Sequence, residues 1–227
     1  MRTTDFITYN AQLNPKLWED SHLKEPVRDA LLRIAADFKE FVDVPFDIVD
    51  VVITGGNANY NYTTHSDIDL HLVADFGSVT CDREAAELFD TKRHLYKKTY
   101  DVNIHGIPVE LYVEDKDHPA VSSGSYSILH DKWVSVPNPD LPDYDADAVE
   151  EMTEVWRGVL DHAMDTESLD ACRTAVDLLR KYRKLGLGTE DGEFSVPNLV
   201  YKSLRNDHTL GNITEFIDQL HDRELSI

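Results

Sequence analysis

Two neighbouring segments decide the fold of this chain. The first is Ile48-Val49-Asp50-Val51-Val52-Ile53-Thr54-Gly55-Gly56, and the second is Ser66-Asp67-Ile68-Asp69-Leu70. The apolar run of the first segment predicts a buried strand, and its two glycines let the backbone approach a ligand with exposed N–H groups. Side chains at i and i+2 of a strand point to one face, so Asp67 and Asp69 are expected side by side. Adjacent carboxylates repel each other unless a cation lies between them, so the pattern predicts a phosphate-binding turn beside a divalent metal site.

The spacing of these segments resembles that of the DNA polymerase beta-like nucleotidyltransferase superfamily. Members have a hydrophobic strand, Gly-Gly or Gly-Ser, a loop, and then Asp-x-Asp on the next strand. Here nine residues separate Gly56 from Ser66. The family's third carboxylate lies on a later strand, where most members have aspartate. The candidate is Glu110, in Pro108-Val109-Glu110-Leu111-Tyr112-Val113.

Within that superfamily, the chain resembles predicted nucleotidyltransferases of tailed bacteriophages. The shared stretches are an Asn-x-Asn-Tyr-like run after the glycines, the strand around Glu110, and two late segments. These late segments are Gly192-Glu193-Phe194-Ser195 and Asn198-Leu199-Val200-Tyr201-Lys202. The resemblance therefore extends over most of the chain, although the glycine and aspartate motif is its specific part.

The resemblance implies an Mg²⁺-dependent enzyme, also served by Mn²⁺, that transfers NMP from an NTP to a hydroxyl and releases pyrophosphate. The acceptor is an RNA end, a protein side chain or a small molecule. The expected catalytic residues are also the expected metal ligands: Asp67, Asp69 and Glu110. The expected nucleotide-binding residues are Gly55, Gly56, Ser66 and Lys202.

The chemistry of such a transfer explains why carboxylates are needed. One ion lowers the pKa of the attacking hydroxyl, and a second ion holds the triphosphate and the leaving pyrophosphate. Oxygen ligands suit Mg²⁺, and the sequence has no Cys or His cluster that would suit a softer metal. Glu110 either holds the ion nearest the acceptor or acts as its general base. Ser66 either contacts a phosphate or fixes the turn before Asp67.

The composition limits the partners and the location that we expect. Asp and Glu outnumber Lys and Arg by 43 to 22, giving a formal net charge of −21. This charge argues against an extended nucleic-acid surface, although a local basic groove stays open. Cys81 and Cys172 are expected to be free thiols in a reducing compartment. No apolar run reaches membrane-spanning length, so we expect a cytoplasmic protein without a membrane partner, in the host cytoplasm if a phage encodes it.

A triphosphate also needs cations from the protein. Three basic groups are candidates, and each is equally consistent with a solvated helix face: Lys92, Arg93, Lys97 and Lys98; Arg180, Lys181, Arg183 and Lys184; and Lys202 with Arg205. Lys202 is preferred because it lies in a segment that the resemblance covers.

The periodicity of the chain predicts an α+β fold, in which a small mixed β-sheet carries helices on one face and a helical region follows. Residues 1–145 form the expected nucleotidyltransferase catalytic domain, and residues 146–227 the helical C-terminal domain. Residues up to Ser21 are expected to be irregular. The predicted helices are 26–42, 82–98, 146–164, 169–185, 197–205 and 213–221. The predicted strands are 48–53, 68–73, 100–104 and 109–113, and a long loop is expected over 114–145.

Several side chains keep two interpretations at this stage. The loop residues Asn57, Asn59, Asn61, Tyr60 and Tyr62 either bind the nucleoside or serve turn chemistry. His71 shares the face of Asp69 and either supports the metal ligands or packs. Trp133 either stacks on a base or belongs to the core. On the second predicted helix, the side chains expected to point inward are Ala85, Leu88, Leu95 and Tyr96.

Two other functions remain open. A pyrophosphokinase of the alarmone-synthetase type shares the fold and uses an aspartate with a later glutamate, which Glu110 would suit. A nucleotide-binding regulator or interaction protein could also keep the site without turnover. Transfer of the α-phosphate would distinguish nucleotidyl transfer from both.

Overall fold

The chain combines α-helices with a mixed β-sheet. A computed structural model describes residues 9–78, 82–118, 122–140 and 142–226. These residues divide into two compact units, one formed by Tyr9–Asp140 and the other by the described residues that follow. The α+β class is therefore as predicted.

The first unit contains both sheets and two long helices. Its elements are β1 (Trp18–Glu19), β2 (His22–Leu23), α1 (Glu25–Val42), β3 (Ile48–Thr54), β4 (Ile68–Ala74), α2 (Asp82–Thr99), β5 (Asn103–Ile104), β6 (Ile107–Asp115), β7 (Ser125–Ser127) and β8 (Lys132–Ser135). The larger sheet has the order β5-β6-β4-β3-β7-β8, and β1 and β2 form a small separate hairpin.

The central strands of the larger sheet run in both directions. β3 and β4 are antiparallel, whereas β4 and β6 are parallel and are connected through α2. Their register places Thr54 beside Asp69, and Asp69 beside Glu110. This register brings the end of the first sequence segment, the second segment and the later glutamate into one row across three strands.

The two helices pack on one face of this sheet. α1 begins with a proline in its first turn, where the missing N–H is tolerated, and its apolar stripe is buried. Leu31 and Phe38 of α1 and Phe89 of α2 join Ile53 and Leu70 in one core. Because side chains alternate along a strand, Asp69 and Glu110 face away from this core.

The β5–β6 hairpin turns at His105-Gly106, as predicted. Both residues have positive φ, 51° at His105 and 77° at Gly106. This pair of angles is typical of the two-residue turns that match the twist of a hairpin. The hairpin ends the sheet on the side of β6.

The predicted irregular segment is more ordered than expected from residue 9 onward, and residues 1–8 lie outside the described residues. It forms the hairpin β1–β2, and it buries Leu13, Leu17, Trp18 and Leu23 in the core. The Trp18 Nε1 donates to the Asn57 carbonyl at 2.7 Å, so this segment also supports the glycine turn. The segment is mostly polar, and its apolar residues are spaced too irregularly for their pattern to predict a helix or a strand.

The predicted loop over 114–145 is wrong in part, because it contains β7 and β8. Ser127 on β7 lies opposite Val52 of β3, and its hydroxyl donates to Asp50 at 2.7 Å. Trp133 on β8 stacks on Trp18 with ring centroids 4.9 Å apart and rings inclined by 14°. Trp133 therefore packs against the core, and the base-stacking interpretation is not supported.

The prediction that Leu95 of the second predicted helix points inward is also wrong. Leu95 is 51% exposed, whereas Ala85, Phe89 and Tyr96 are buried. Phe89 and Tyr96 are two turns apart on the face that meets the sheet, and Leu95 lies off that face.

The second unit consists of helices in its described part. They are α3 (Ala146–Asp165), α4 (Leu169–Leu187), α5 (Val196–Asn206) and α6 (Thr209–Leu225), each close to a predicted helix. Asp145 and Ser168 cap α3 and α4 by accepting backbone N–H bonds. Their apolar faces form a core of their own that includes Leu160, Leu179 and Leu204.

The structure tests two further predictions in part: the lack of a membrane-spanning segment and the two free cysteines. Within the described ranges, no helix has both the length and the apolar character needed to cross a membrane. Cys172 is a buried free thiol whose Sγ donates to the Ala163 carbonyl at 3.3 Å. Cys81 lies outside the described residues.

Candidate functional site

The glycine turn lies directly against Asp69. Gly55 has φ 71° and ψ −161°, a combination that is essentially restricted to glycine. A Cβ atom at Gly55 would lie 1.8 Å from the Asp69 Oδ2. The carboxylate of Asp69 therefore occupies the space that a side chain at position 55 would need. Gly56 begins a short 3₁₀ turn, Gly56–Ala58, directly after Gly55.

Three carboxylates converge beside this turn. Asp67 immediately precedes β4, Asp69 lies on β4, and Glu110 lies on the parallel neighbour β6. One oxygen from each of the three lies within 4.8 Å of the others. All three residues are partly exposed. We call these residues the carboxylate triad.

The donor set of the carboxylate triad fits a hard divalent cation. Three carboxylate oxygens, two from strands and one from the residue just before β4, are ligands of the kind that Mg²⁺ and Mn²⁺ bind, and partial exposure leaves room for water or phosphate ligands. Among the described residues, this is the one group of at least three Asp, Glu, His or Cys side chains with a geometry suited to a metal ion. The structure thus brings together the three residues predicted as metal ligands.

Glu110 is held by donors on two sides. Lys97 on α2 forms an ion pair with its Oε1, and the Tyr112 hydroxyl donates to its Oε2 at 2.9 Å. Burial raises the pKa of the Glu110 carboxyl, but hydrogen bonds from Lys97 and Tyr112 and the charges of Lys97 and Arg93 outweigh burial and hold this pKa below its usual value. Glu110 is therefore ionised at neutral pH, as a metal ligand must be.

Tyr112 is itself fixed between two side chains. The His71 ring stacks on it with centroids 4.8 Å apart and an inclination of 21°. The Arg93 guanidinium carbon lies 4.8 Å from the Tyr112 ring centroid. Burial, followed by the negative charges of Asp69 and Glu110, raises the pKa of Tyr112 above its usual value. Tyr112 consequently stays protonated and can act as a hydrogen-bond donor.

His71 supports this arrangement and lies outside the carboxylate triad. It is 9% exposed, and its Nδ1 lies 3.2 Å from the Glu114 Oε2. Through its stacking on Tyr112, which donates to Glu110, His71 fits the interpretation in which it supports the metal ligands. The orientation of Glu110 is thus backed by a chain of contacts that runs through Tyr112 to His71 and Glu114.

The polar residues of the loop hold its shape. Asn57 is 1% exposed; its side-chain amide donates to the Asp67 carbonyl at 2.7 Å and accepts from Asn14 at 2.8 Å. Asn59 is equally buried and donates to the Ser123 hydroxyl at 2.6 Å. These contacts favour turn chemistry over nucleoside binding for both asparagines, because neither amide is exposed to a ligand.

Ser66 also contributes to the loop. Its hydroxyl accepts from the Thr63 backbone N–H at 2.9 Å and lies 3.4 Å from the Thr63 hydroxyl. This supports the interpretation in which Ser66 fixes the turn before Asp67. A role in contacting phosphate stays a prediction.

The three predicted basic groups lie in different parts of the structure. In the first group, Lys97 and Arg93 lie at the carboxylate triad, whereas Lys92 lies over the Phe41 ring. In the second group, Arg183 lies over the Tyr201 ring and donates to Asn198. Lys202 lies on α5 in the helical unit, and its role in nucleotide binding stays a prediction.

Sequence analysis missed two residues of this site. Tyr112 lies two positions after Glu110 on the same strand, so the alternation of β6 could have placed it beside the glutamate. No local pattern pairs Lys97 with Glu110, because that contact depends on how α2 crosses the edge of the sheet. Lys97 was counted only as a member of a basic cluster.

Comparisons with known proteins identify no relative. No protein-family model, no curated protein and no solved structure matches this chain. The functional conclusion therefore rests on the geometry of the site.

Proposed function

We propose that this chain is a divalent-metal-dependent nucleotidyltransferase that transfers NMP from an NTP to a hydroxyl group. One observation carries the proposal: oxygens of Asp67, Asp69 and Glu110 lie within 4.8 Å of one another, beside a glycine turn whose backbone meets Asp69. A metal site and a turn with accessible N–H groups are the two features that a triphosphate requires.

Each part of the site has a specific task in this proposal. The backbone of Gly55 and Gly56 offers N–H groups to the β- and γ-phosphates, and Ser66 keeps the following aspartate in place. Asp67, Asp69 and Glu110 would hold Mg²⁺ or Mn²⁺. When bound, the metal neutralises phosphate charge and lowers the pKa of the attacking hydroxyl. Lys202 is a further candidate for contacting the triphosphate.

The reaction forms a phosphoester bond and breaks a phosphoanhydride bond. The acceptor oxygen forms a bond to the α-phosphorus, the bond from the α-phosphorus to the oxygen bridging it to the β-phosphate breaks, and pyrophosphate leaves with that electron pair. The acceptor hydroxyl loses its proton to water or to a site carboxylate. A carboxylate with a lowered pKa is a weak base, so the environment of Glu110 favours the ligand role over the base role.

The experiment that tests this function follows the α-phosphate. The protein is incubated with each α-labelled NTP, Mg²⁺ or Mn²⁺, and a lysate that supplies candidate acceptors. We expect label to appear on an acceptor only when the metal is present. Replacing Asp67 and Asp69 together with asparagine should reduce this transfer below detection, because the paired ligands lose their charge.

A matched control separates loss of the site from loss of charge. The double variant Asp29→Asn with Asp47→Asn removes the same two charges at exposed positions and should transfer label normally. Circular dichroism checks that both double variants are folded. Undiminished transfer in the Asp67 and Asp69 variant would exclude the proposed function.

Glu110 favours one alternative reaction, because a pyrophosphokinase of the alarmone-synthetase type uses a late glutamate. In that reaction the acceptor receives the β- and γ-phosphates, and AMP leaves. ATP labelled on the α-phosphate and ATP labelled on the γ-phosphate distinguish the two reactions. Label transferred from the γ-position alone would replace nucleotidyl transfer by pyrophosphoryl transfer.

A further inference from the structure

A pocket opens beside Glu110, between the end of α2 and the β5–β6 hairpin. Its volume is about 490 Å³, which lies within the range of small-molecule sites. Val102, Pro108 and Leu111 form an apolar part of its lining, and Tyr100, which is 47% exposed, adds an aromatic side. The carboxylate of Glu110 connects this pocket to the carboxylate triad.

The pocket lining has two cations, and it has one further carboxylate, Asp101, besides that of the triad. Lys97 and Arg93 lie one turn apart on α2, and both line the pocket. Arg93 is held in place, since its Nε donates to Asp90 at 2.7 Å while its guanidinium covers the Tyr112 ring. In a chain with a formal net charge of −21, a lining whose two cations balance its two carboxylates is less acidic than the chain as a whole.

The partner of Lys97 is also a candidate metal ligand. The Lys97 ammonium is paired with the Glu110 Oε1, at the residue that supplies the third carboxylate of the triad. A divalent cation at Glu110 repels this ammonium and takes over the negative charge that attracts it. The Lys97 side chain is 66% exposed, so it can turn away from Glu110 without disturbing the core.

From this geometry we infer that the pocket binds the acceptor, and that the acceptor is a small, anionic, hydroxyl-bearing compound such as a sugar phosphate. Metal binding at Glu110 releases Lys97, which then pairs with the anionic group together with Arg93. The hydroxyl of the compound lies toward Glu110, and its apolar part lies along Val102 and Leu111. This inference rests on the proposed function, and it narrows the class of acceptor.

The test measures binding, so it does not depend on turnover. Ribose 5-phosphate and ribose serve as a charged and a neutral probe of one shape, titrated calorimetrically into the full chain with Mg²⁺ present. We expect ribose 5-phosphate to bind about ten- to a hundredfold more tightly, as for a hydrogen bond between charged groups. Lys97→Met should reduce this preference, because Arg93 is then the one cation of the pair that remains. Lys98→Met should keep the preference, because Lys98 is exposed and does not line the pocket.

A second variant tests the exchange of partners at Glu110. In the unsubstituted chain, ribose 5-phosphate should bind more weakly without Mg²⁺, because Lys97 stays paired with Glu110. In Glu110→Gln that pairing loses its charge, so binding of ribose 5-phosphate should no longer depend on Mg²⁺. Circular dichroism verifies that each variant is folded.

The results that overturn this inference differ from those that overturn the proposed function. Equal affinity for ribose and ribose 5-phosphate, or no effect of Lys97→Met, excludes an anion-binding pocket. Transfer of label only to neutral compounds or to RNA ends also excludes it, and leaves nucleotidyl transfer intact. Loss of the proposed function would instead appear as a lack of metal-dependent label transfer while the charged probe still binds.

Discussion

Gly55 is the residue at which the site tolerates least change. Its backbone angles fall in a region that is essentially limited to glycine, and the Asp69 carboxylate fills the position of a side chain. The first constraint is local, and a sequence pattern can suggest it. The second depends on the register between β3 and β4, because that register places Asp69 beside the end of β3.

Replacing Gly55 with alanine should therefore damage both stability and metal binding. The backbone strain alone costs about 1–3 kcal/mol, and the new Cβ must also displace the Asp69 carboxylate. We expect a lower free energy of unfolding in urea, and weaker Mn²⁺ binding measured by electron paramagnetic resonance.

Gly106→Ala provides the matched control for that substitution. Gly106 also has positive φ, but a Cβ there would meet no described atom within 4 Å. This variant should lose stability and still bind Mn²⁺ normally. Equal Mn²⁺ binding by the Gly55 and Gly106 variants would contradict the role assigned to the contact between Gly55 and Asp69.

At the scale of elements, the contact between α2 and β6 determines the charge state of the site. Lys97 comes from the helix and Glu110 from the strand, and their pairing helps to keep the pKa of the glutamate low despite its burial. Helix and strand are thus coupled by charge as well as by the apolar core.

Lys97→Met should make the stability of the protein less dependent on pH. Because the Glu110 pKa is lowered by folding, its ionised form stabilises the fold above the pKa of an unfolded glutamate, about 4.3. That stabilisation disappears as the pH falls through the lower, folded-state pKa. Without Lys97, its hydrogen bond and its charge no longer lower the pKa of Glu110, so this pKa lies higher than in the unsubstituted chain. The variant should therefore be less stable than the unsubstituted chain at neutral pH, and the two should converge at low pH.

Urea unfolding over a series of pH values measures this difference. Lys98→Met controls for the loss of one positive charge from the same turn of α2. A stability difference that is constant with pH would contradict the coupling between Lys97 and Glu110. Added salt should reduce the effect, since Lys97 is 66% exposed.

The elements that sequence analysis predicted are those with strong local patterns. α1 has an apolar stripe, β3 and β4 are apolar runs, and His105-Gly106 favours a hairpin turn. β7 escaped prediction because it is three residues long and two of them are serines, one of which is buried against Asp50. Its place in the sheet depends on β3, and no periodicity within the segment reveals it.

Some residues of the candidate site could be predicted from local sequence patterns, and others required the structure. Asp67 and Asp69 follow from strand alternation, and Glu110 followed from a family resemblance that pointed to a later strand. Lys97 pairs with Glu110 through a crossing of helix and sheet, so that contact required the three-dimensional structure. The burial of Asn57 beneath the loop, with its bond to Asp67, also required it.

The whole molecule combines two compact units and a large negative charge. The units have separate apolar cores, one beneath the larger sheet and one among the helices α3 to α6. The formal net charge of −21 belongs to the whole chain. Like charges oppose a compact state, so the electrostatic contribution to folding of this chain is repulsive overall.

Salt should therefore stabilise this protein at neutral pH. Raising NaCl to a moderate concentration screens the repulsion, and each gain of about 1 kcal/mol raises the melting temperature by about 2–4 °C in a chain of this size. Scanning calorimetry at increasing NaCl measures the shift. Near the pI of about 4.7 the net charge vanishes, and the same salt should have little effect. A melting temperature at neutral pH that does not rise with salt would contradict the expectation.

The parallel pairing of β4 with β6 has a consequence for the order of folding. Parallel neighbours cannot be joined by a tight turn, so the chain must cross from β4 to β6 before Asp69 meets Glu110. A partly folded chain with only the β3–β4 pair has two of the three carboxylates. If the triad holds a divalent ion as proposed, full affinity for that ion requires the completed crossover, and the ion would stabilise this state relative to incomplete chains.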